Sequence, residues 1–234
     1  MRTHRSLLVI ALLACVACTQ VRVREDALIA KAIDAAGGQA ALQRAQSLHW
    51  TGDATAFAGD RRIELGVDST VVPFERASST TWLRDKRDTT QRRMVIDGDS
   101  GWIERDGRRE PMAADMLANE RPQYATYGLM RLVTLRDPGT RVERRPDRNG
   151  LQVLHVEHPK AAPADLFFDA TGRLVALEDR VPDAEPGVAI AQRFTFDGVI
   201  EDDGVRWPRV LRIDQNGTPF FELRLATLDV APAH

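Results

Sequence analysis

The sequence is short of the residues that characterise several protein classes. Cysteine occurs only at positions 15 and 18 of 234 residues, so the body of the chain holds no disulfide framework. The formal net charge is only −2, which argues against a dedicated nucleic-acid-binding protein. The apolar run Leu7 to Ala17 is shorter than the ~20 residues that a membrane-spanning helix needs. The composition, 43% hydrophobic and 28% charged, is that of an ordinary globular chain.

The N-terminus has the features of a bacterial lipoprotein signal. Arg2 and Arg5 precede the apolar run, as in a secretory signal peptide, and both cysteines stand at its end. We expect residues 1–17 to be removed and Cys18 to receive lipid, because polar residues follow it; Cys15 is the alternative. A signal cleaved elsewhere, with two unmodified cysteines, is the other interpretation. Two or more acyl chains hold a protein stably on a membrane, so the signal predicts an anchored, periplasm-facing protein of the cell envelope.

Two glycines interrupt the alanine-rich stretch that follows. Apolar residues recur at helical spacing from Val21 to Ala36, and a second helical segment runs from Gln39 to Gln46. Each glycine in a helix interior costs about 1 kcal/mol relative to alanine, whereas glycine is favoured just past a helix end. The pair Gly37-Gly38 therefore predicts a corner between two helices.

From Leu48 onward the hydrophobic period changes to two, which is typical of strands. Tight turns such as Asp106-Gly107 separate roughly ten such segments. One helical stretch, Met112 to Val133, interrupts them, and Pro122 is expected to divide it. The pattern predicts a mainly β (α+β) fold: a curved antiparallel sheet or half-open β-barrel covered by the N-terminal and mid-chain helices.

Four short signatures in order resemble a known family. They are the Gly-Gly helix pair followed by "SLHWTG", then "DGDSGW" (Asp97 to Trp102), "FFDATGRLVALE" (Phe167 to Glu178) and "DDGVRWP" (Asp202 to Pro208). Together they resemble periplasmic lipoprotein-carrier proteins of the LolA/LppX type and their outer-membrane lipoprotein-sorting-like branch. The resemblance implies one domain over residues 18–234, a half-open barrel with a helical lid, and an apolar hollow for acyl chains. It implies lipid or lipoprotein cargo, no catalytic residues and no cofactor.

The predicted lipid anchor departs from the pattern of a soluble carrier. A carrier that shuttles cargo has no anchor, so the anchor favours a tethered receiver of cargo. Thr19 follows Cys18, where some lipoproteins of the inner membrane have aspartate. By resemblance this favours the outer membrane. We expect a monomer that contacts the membrane through its anchor.

Two motifs suggest chemistry, and for both a structural role is the better interpretation. "GDSGW" nearly matches a serine-protease loop, but Ser100 has no upstream histidine in a motif, and His49 lies within a predicted strand. We interpret it as a hairpin turn. His155 and His158 are three residues apart, which places them on opposite faces of a strand, and no cysteine is near them. We therefore predict no metal site.

Seven aromatic residues are the candidates for lining an apolar hollow: Trp50, Trp82, Trp102, Phe194, Phe196, Trp207 and Phe221. Ordinary sheet packing is the competing interpretation, because strand parity does not tell a cavity from a filled core. Three functions follow from these alternatives. An acyl-chain-binding protein requires an apolar pocket, an envelope scaffold requires a filled interior with an exposed patch, and a periplasmic hydrolase requires a catalytic cleft.

Overall fold

The computed structural model describes residues 25–183 and 187–232. The predicted signal peptide, Cys15 and Cys18 lie outside the described residues. Within the described ranges, every helix is too short or too polar to cross a bilayer.

The N-terminal helices form the predicted corner. Helix α1 covers residues 25–35 and helix α2 covers Gln39–Arg44. Between them Gly37 and Gly38 have φ angles of 116° and 93°. Residues that carry a Cβ rarely adopt such angles. A Cβ on Gly37 would also lie 1.9 Å from the carbonyl oxygen of Gly204. The corner is confirmed, and this close approach to a later turn is a second reason for glycine.

Most of the remaining chain is β-structure, as predicted. The described part contains fifteen strands: β1 Ser47–Ala58, β2 Arg61–Val72, β3 Arg76–Leu83, β4 Arg92–Asp97, β5 Ser100–Arg105, β6 Arg108–Pro111, β7 Arg141–Arg148, β8 Leu151–Glu157, β9 Ala164–Phe168, β10 Leu174–Pro182, β11 Ala189–Asp197, β12 Ile200–Asp202, β13 Val205–Trp207, β14 Val210–Gln215 and β15 Thr218–Ala231. The predicted count of about ten was too low. Strands of three residues, such as β12 and β13, are too short to show an alternating pattern.

Thirteen strands form one curved, unclosed antiparallel sheet in the order β6-β5-β4-β3-β2-β1-β15-β14-β11-β10-β9-β8-β7. Strands β12 and β13 pair separately. The two edges, β6 and β7, are neighbours in sequence and are joined by helix α4, Ala114–Met130, and a 3₁₀ helix, Val133–Arg136. Because this connection runs from one edge to the other, it must cross the open side of the sheet. A short helix α3, Arg87–Thr90, lies between β3 and β4.

Helix α4 is continuous, and the predicted division at Pro122 is wrong. Proline inside a helix removes one backbone hydrogen bond and costs about 3 kcal/mol. The C-terminal half of α4 offsets this cost by burial, since Ala125, Leu129 and Met130 are core residues. The Thr126 hydroxyl also donates to the Pro122 carbonyl over 3.1 Å. Tertiary packing therefore keeps the helix intact where local propensity favours a break.

The core lies on the face of the sheet that the helices cover. Leu28, Ile33 and Leu42 of the N-terminal helices pack in one cluster with strand residues such as Leu48 and Leu225. The opposite face is rich in ion pairs. Arg148, for example, contacts Asp165 and Glu178 on two neighbouring strands. The sheet therefore has one apolar face and one mainly polar face. On the polar face Val153, Phe167 and Ala176 form a small second buried cluster.

Candidate functional site: an apolar groove beside helix α4

Four of the seven candidate aromatic residues are fully packed in the core. Trp50, Phe194, Phe196 and Trp207 are all less than 9% exposed. Trp50 and Trp207 come together around Tyr127 of α4, with ring centroids 5.0 and 6.5 Å from the tyrosine ring. A fifth candidate, Phe221, packs partly buried against the same cluster. These side chains fill the space between the sheet and the helices.

The other two candidates, Trp82 and Trp102, lie on the opposite face of the sheet. Trp82 covers Gly66, where an added Cβ would lie 2.3 Å from the indole, and the Arg87 guanidinium stacks over it at 4.2 Å. Trp102 is covered by Arg109 at 3.5 Å, and its Nε1 donates to Glu104 over 2.8 Å. Such cation–π stacking is typical of aromatic side chains at a wet surface. Neither tryptophan lies on the face that α4 and the N-terminal helices cover.

Beside helix α4 lies a cavity of about 530 Å³, which we call the apolar groove. It lies between the ends of β2, β3 and β4, helix α4 and the loop of residues 159–162. Its floor consists of small and branched apolar side chains: Val71, Val72, Ala77, Ile96, Pro122 and Ala125. The volume falls within the range of pockets that hold small molecules. None of the seven candidate aromatic residues lines it.

The rim of the apolar groove is charged and the floor is not. Glu75, Arg76, Arg121 and Lys160 line it and are exposed. Arg121 also forms an ion pair with Asp99, with an N–O distance of 2.8 Å. Three of these four side chains are cationic and one is anionic, so the rim carries more positive than negative charge even though Asp99 offsets Arg121. An apolar floor under a charged rim suits a ligand with an apolar body and a polar end in solvent.

Phe74 is the aromatic residue of the β2–β3 turn that lines the apolar groove, and its ring lies near Gly128 of α4. It lies in the turn between β2 and β3, and its ring stacks on His158 with centroids 4.3 Å apart and planes 12° apart. On its other side it packs against Gly128 of α4. The His158 side chain is only 5% exposed, and burial lowers its pKa although Asp137 nearby opposes this. Sequence analysis missed Phe74, because a single aromatic residue in a turn has no periodic pattern.

A second feature that sequence analysis missed is a buried polar cluster under α4. Asp179 and Gln192 are direct neighbours on β10 and β11 and are 7% and 2% exposed. Thr126 of α4 donates to Asp179 over 3.4 Å, while the other carboxylate oxygen and both Gln192 amide atoms have no protein partner. Burial raises the pKa of Asp179 to about 6, although the Thr126 hydrogen bond opposes this. The signal was present in the sequence, since Gln192 shares strand parity with Phe194.

The serine and histidine of the protease-like motif are far apart. Ser100 begins β5, directly after the turn that joins it to β4, as predicted. His49 lies on β1, four strands away, which corresponds to about 19 Å at the usual strand spacing. Its ring nitrogens contact Asp68 and Asp229 at 3.0 and 3.2 Å. Burial opposes protonation of His49, but the hydrogen bonds that both aspartates accept from its ring, together with their negative charge, outweigh burial and raise its pKa.

The two histidines of "HVEH" also have structural partners. His155 bonds Asp165 across β8 and β9 over 2.7 Å, and His158 stacks on Phe74. In the part of the chain that the structure describes, no three His, Cys, Asp or Glu side chains are grouped so that they could hold a metal ion.

Comparison with solved structures gives fold-level similarities. A LolA superfamily protein from Nitrosomonas europaea matches 88% of this chain and 93% of its own, with a TM-score of 0.58 and 10% identity. A DUF1329 family protein from Desulfovibrio piger matches 88% and 92%, with a TM-score of 0.57 and 9% identity. A domain from Vibrio parahaemolyticus, described as an outer membrane lipoprotein-sorting protein domain, matches 78% and 84%, with a TM-score of 0.51 and 13% identity. No protein-family model and no curated protein sequence matches the chain.

Proposed function

Because the chain has a LolA-like fold, we propose that it is a lipid-anchored envelope protein that binds an acyl chain of a lipid or lipoprotein. The observation that carries this proposal is the apolar groove, with its uncharged floor and charged rim. Its shape and lining are independent of the fold similarity, and a fold by itself does not determine a function.

The chemistry of the floor favours a flexible hydrocarbon over a flat or polar ligand. Val71, Ile96 and Ala125 offer aliphatic contacts and no hydrogen-bonding side-chain group. Burial of each methylene contributes about 0.8 kcal/mol, so the binding free energy of an acyl chain grows in proportion to the length that enters the groove. The exposed ionic groups at the rim leave the polar end of such a ligand in water. This arrangement supports one acyl chain as the occupant.

Attachment and location complete the proposal. We propose that Cys18, or alternatively Cys15, carries the anchor, and that the folded domain faces the periplasm from the outer membrane. An anchored domain with an acyl-binding groove fits a tethered receiver of lipid or lipoprotein better than a soluble shuttle. Trp50, Phe194, Phe196, Trp207 and Phe221 then support the groove as core residues and do not contact the ligand directly.

The test is native mass spectrometry of the purified, delipidated protein after incubation with palmitate. We expect one added ligand per chain. Ala162→Trp should abolish uptake, because Ala162 is a half-buried loop residue that lines the groove, and an indole there fills the space. The matched control is Ala170→Trp, at an exposed position in the turn between β9 and β10, which should bind as the wild type does. A wild-type protein that takes up no chain would refute the proposal and favour the scaffold function.

A further inference from the structure

The backbone of Phe74 adopts a conformation that bulky residues rarely have. Its φ angle is 68°, in the left-handed region where a side chain with a Cβ is crowded. Residues held in this region persist only where the surroundings determine them, and they are enriched at ligand-binding and other functional sites. The outlier lies next to the apolar groove.

Packing on both sides of the ring holds Phe74 in place. One face stacks on His158. The other side meets helix α4 at Gly128, where an added Cβ would lie 2.2 Å from the ring. The ring therefore occupies the space that a side chain of α4 would otherwise fill. Two independent segments, the helix and the loop after β8, fix a single position for it.

That position is the end of the apolar groove. Ala118, Pro122 and Ala125 line the groove along successive turns of α4, and one turn later the Phe74 ring covers the helix at Gly128. The loop after β8 shows the same order of residues along the groove, with lining residues first and the contact to the Phe74 ring at the end. Residues 159–162 line the groove, and the preceding residue, His158, stacks on the ring. A chain that lies along the floor toward Gly128 therefore meets the ring.

We propose that Phe74 is the residue that limits the length of the acyl chain the groove accepts. The inference rests on the proposed function and adds a selectivity to it. The strained backbone directs the ring across the groove, Gly128 leaves room for it, and His158 holds it from behind. Beyond the ring the groove offers no further apolar wall, among the described residues, that could cover a methylene. Additional methylenes therefore stay in water and add no affinity.

Two substitutions change the limit in opposite directions. Phe74→Gly removes the ring and also relieves the backbone strain, because glycine adopts positive φ at little cost. It should extend the groove without unfolding the turn. Gly128→Ala places a methyl group where the ring lies and should push the ring into the groove, because His158 blocks the other side. It should shorten the groove.

The experiment measures the affinity of the purified protein for saturated fatty acids from decanoate to stearate. In the wild type we expect about fourfold tighter binding for each added methylene up to a limiting length, and then a plateau. Phe74→Gly should move the plateau to longer chains and Gly128→Ala to shorter ones. Circular dichroism checks folding, and Phe74→Leu replaces the glycine variant if that variant unfolds.

The outcomes separate this inference from the proposed function. A plateau at the same length in all folded variants would overturn the role of Phe74 and leave acyl-chain binding intact. Failure of the wild type to bind any member of the series would overturn both. A plateau that moves with the size of residue 74 supports both.

Discussion

Asp179 and Gln192 lie side by side on the helix-covered face of the sheet, where neighbouring positions carry Leu177 and Phe194. Buried polar atoms are normally hydrogen-bonded, and unpartnered ones cost free energy. Here one carboxylate oxygen and a whole carboxamide have no protein partner. At the residue scale this cluster is the least optimised part of the interior, and Asp179 should weaken the fold at neutral pH.

We predict that Asp179→Asn stabilises the protein at neutral pH. Below the ordinary aspartate pKa of 3.8, Asp179 is protonated in both the folded and unfolded states, so folding does not bury a charged carboxylate and costs no free energy on that account. As pH rises toward about 6, the unfolded chain ionises first, so the folded state loses stability, by about 3 kcal/mol at most. Urea unfolding at about pH 7.5 should give a higher free energy for the variant, and the gain should shrink toward about pH 4.

The control for this prediction is Asp60→Asn, in the exposed turn between β1 and β2. It should change the free energy of unfolding little at either pH. If Asp179→Asn were destabilising at both pH values, the carboxyl group would have to make a favourable contact in its protonated form as well, and burial of its charge would not dominate its effect on stability.

At the scale of elements, helix α4 is stabilised by tertiary contacts and not by the intrinsic helix propensity of its sequence. Pro122 and Gly128 both lower its intrinsic helix propensity. Packing of its C-terminal half against the core, and of Phe74 against Gly128, compensates. Glycine at position 128 thus leaves room for the ring of Phe74, which belongs to the turn between β2 and β3.

A double-mutant cycle tests this interpretation. Gly128→Ala in the wild type should destabilise the protein, because the added methyl group overlaps the Phe74 ring. In the Phe74→Ala background the same substitution should stabilise it by up to about 1 kcal/mol, since alanine is the better helix former. Thermal unfolding of the four proteins measures the coupling. Equal effects of Gly128→Ala in both backgrounds would show that the two residues do not restrict each other.

At the scale of the whole molecule, an unclosed sheet has two edges that could pair with another copy. Edge strand β6 carries Arg108, Arg109 and Pro111, and edge strand β7 includes Pro146 and several arginines. Charge and proline at an edge disfavour such pairing. This composition supports the proposal of a monomer whose association with the envelope depends on its anchor.

We predict that labelling of cells with a palmitate analogue marks the mature protein, and that Cys18→Ser abolishes the label. The thiol at position 18 is the proposed acceptor, and removing it leaves the chain nothing to modify at that site. Cys15→Ser is the matched control and should retain the label. The reverse result would assign the anchor to Cys15, and a protein unlabelled in the wild type would contradict the lipoprotein proposal.

Sequence reasoning predicted the type of most elements correctly, but none of its seven candidate aromatic residues lines the apolar groove. The alternation from Leu48 onward predicted a strand, and the structure confirms it as β1, Ser47–Ala58. Alternation within a single strand shows which side chains share a face, but it did not show that Trp82 and Trp102 lie on the face opposite the core. That depends on how each strand is rotated when it joins its neighbours. Pro122 was misjudged because packing outweighs local propensity there, and the three-residue strands were missed because they are too short to show alternation.

Local sequence patterns suffice to show which stretches alternate, where glycine turns the chain, and that a curved antiparallel sheet needs helices as a cover. Those properties depend on neighbours within a few residues. Only the tertiary structure decided which apolar side chains are core and which line a groove. Val71, Pro122 and Ala162 meet there from three distant segments, and the space between them depends on how closely those segments approach. Hydrophobicity drives a residue out of water, but the shapes of its distant neighbours decide whether it is packed solid or left beside a cavity.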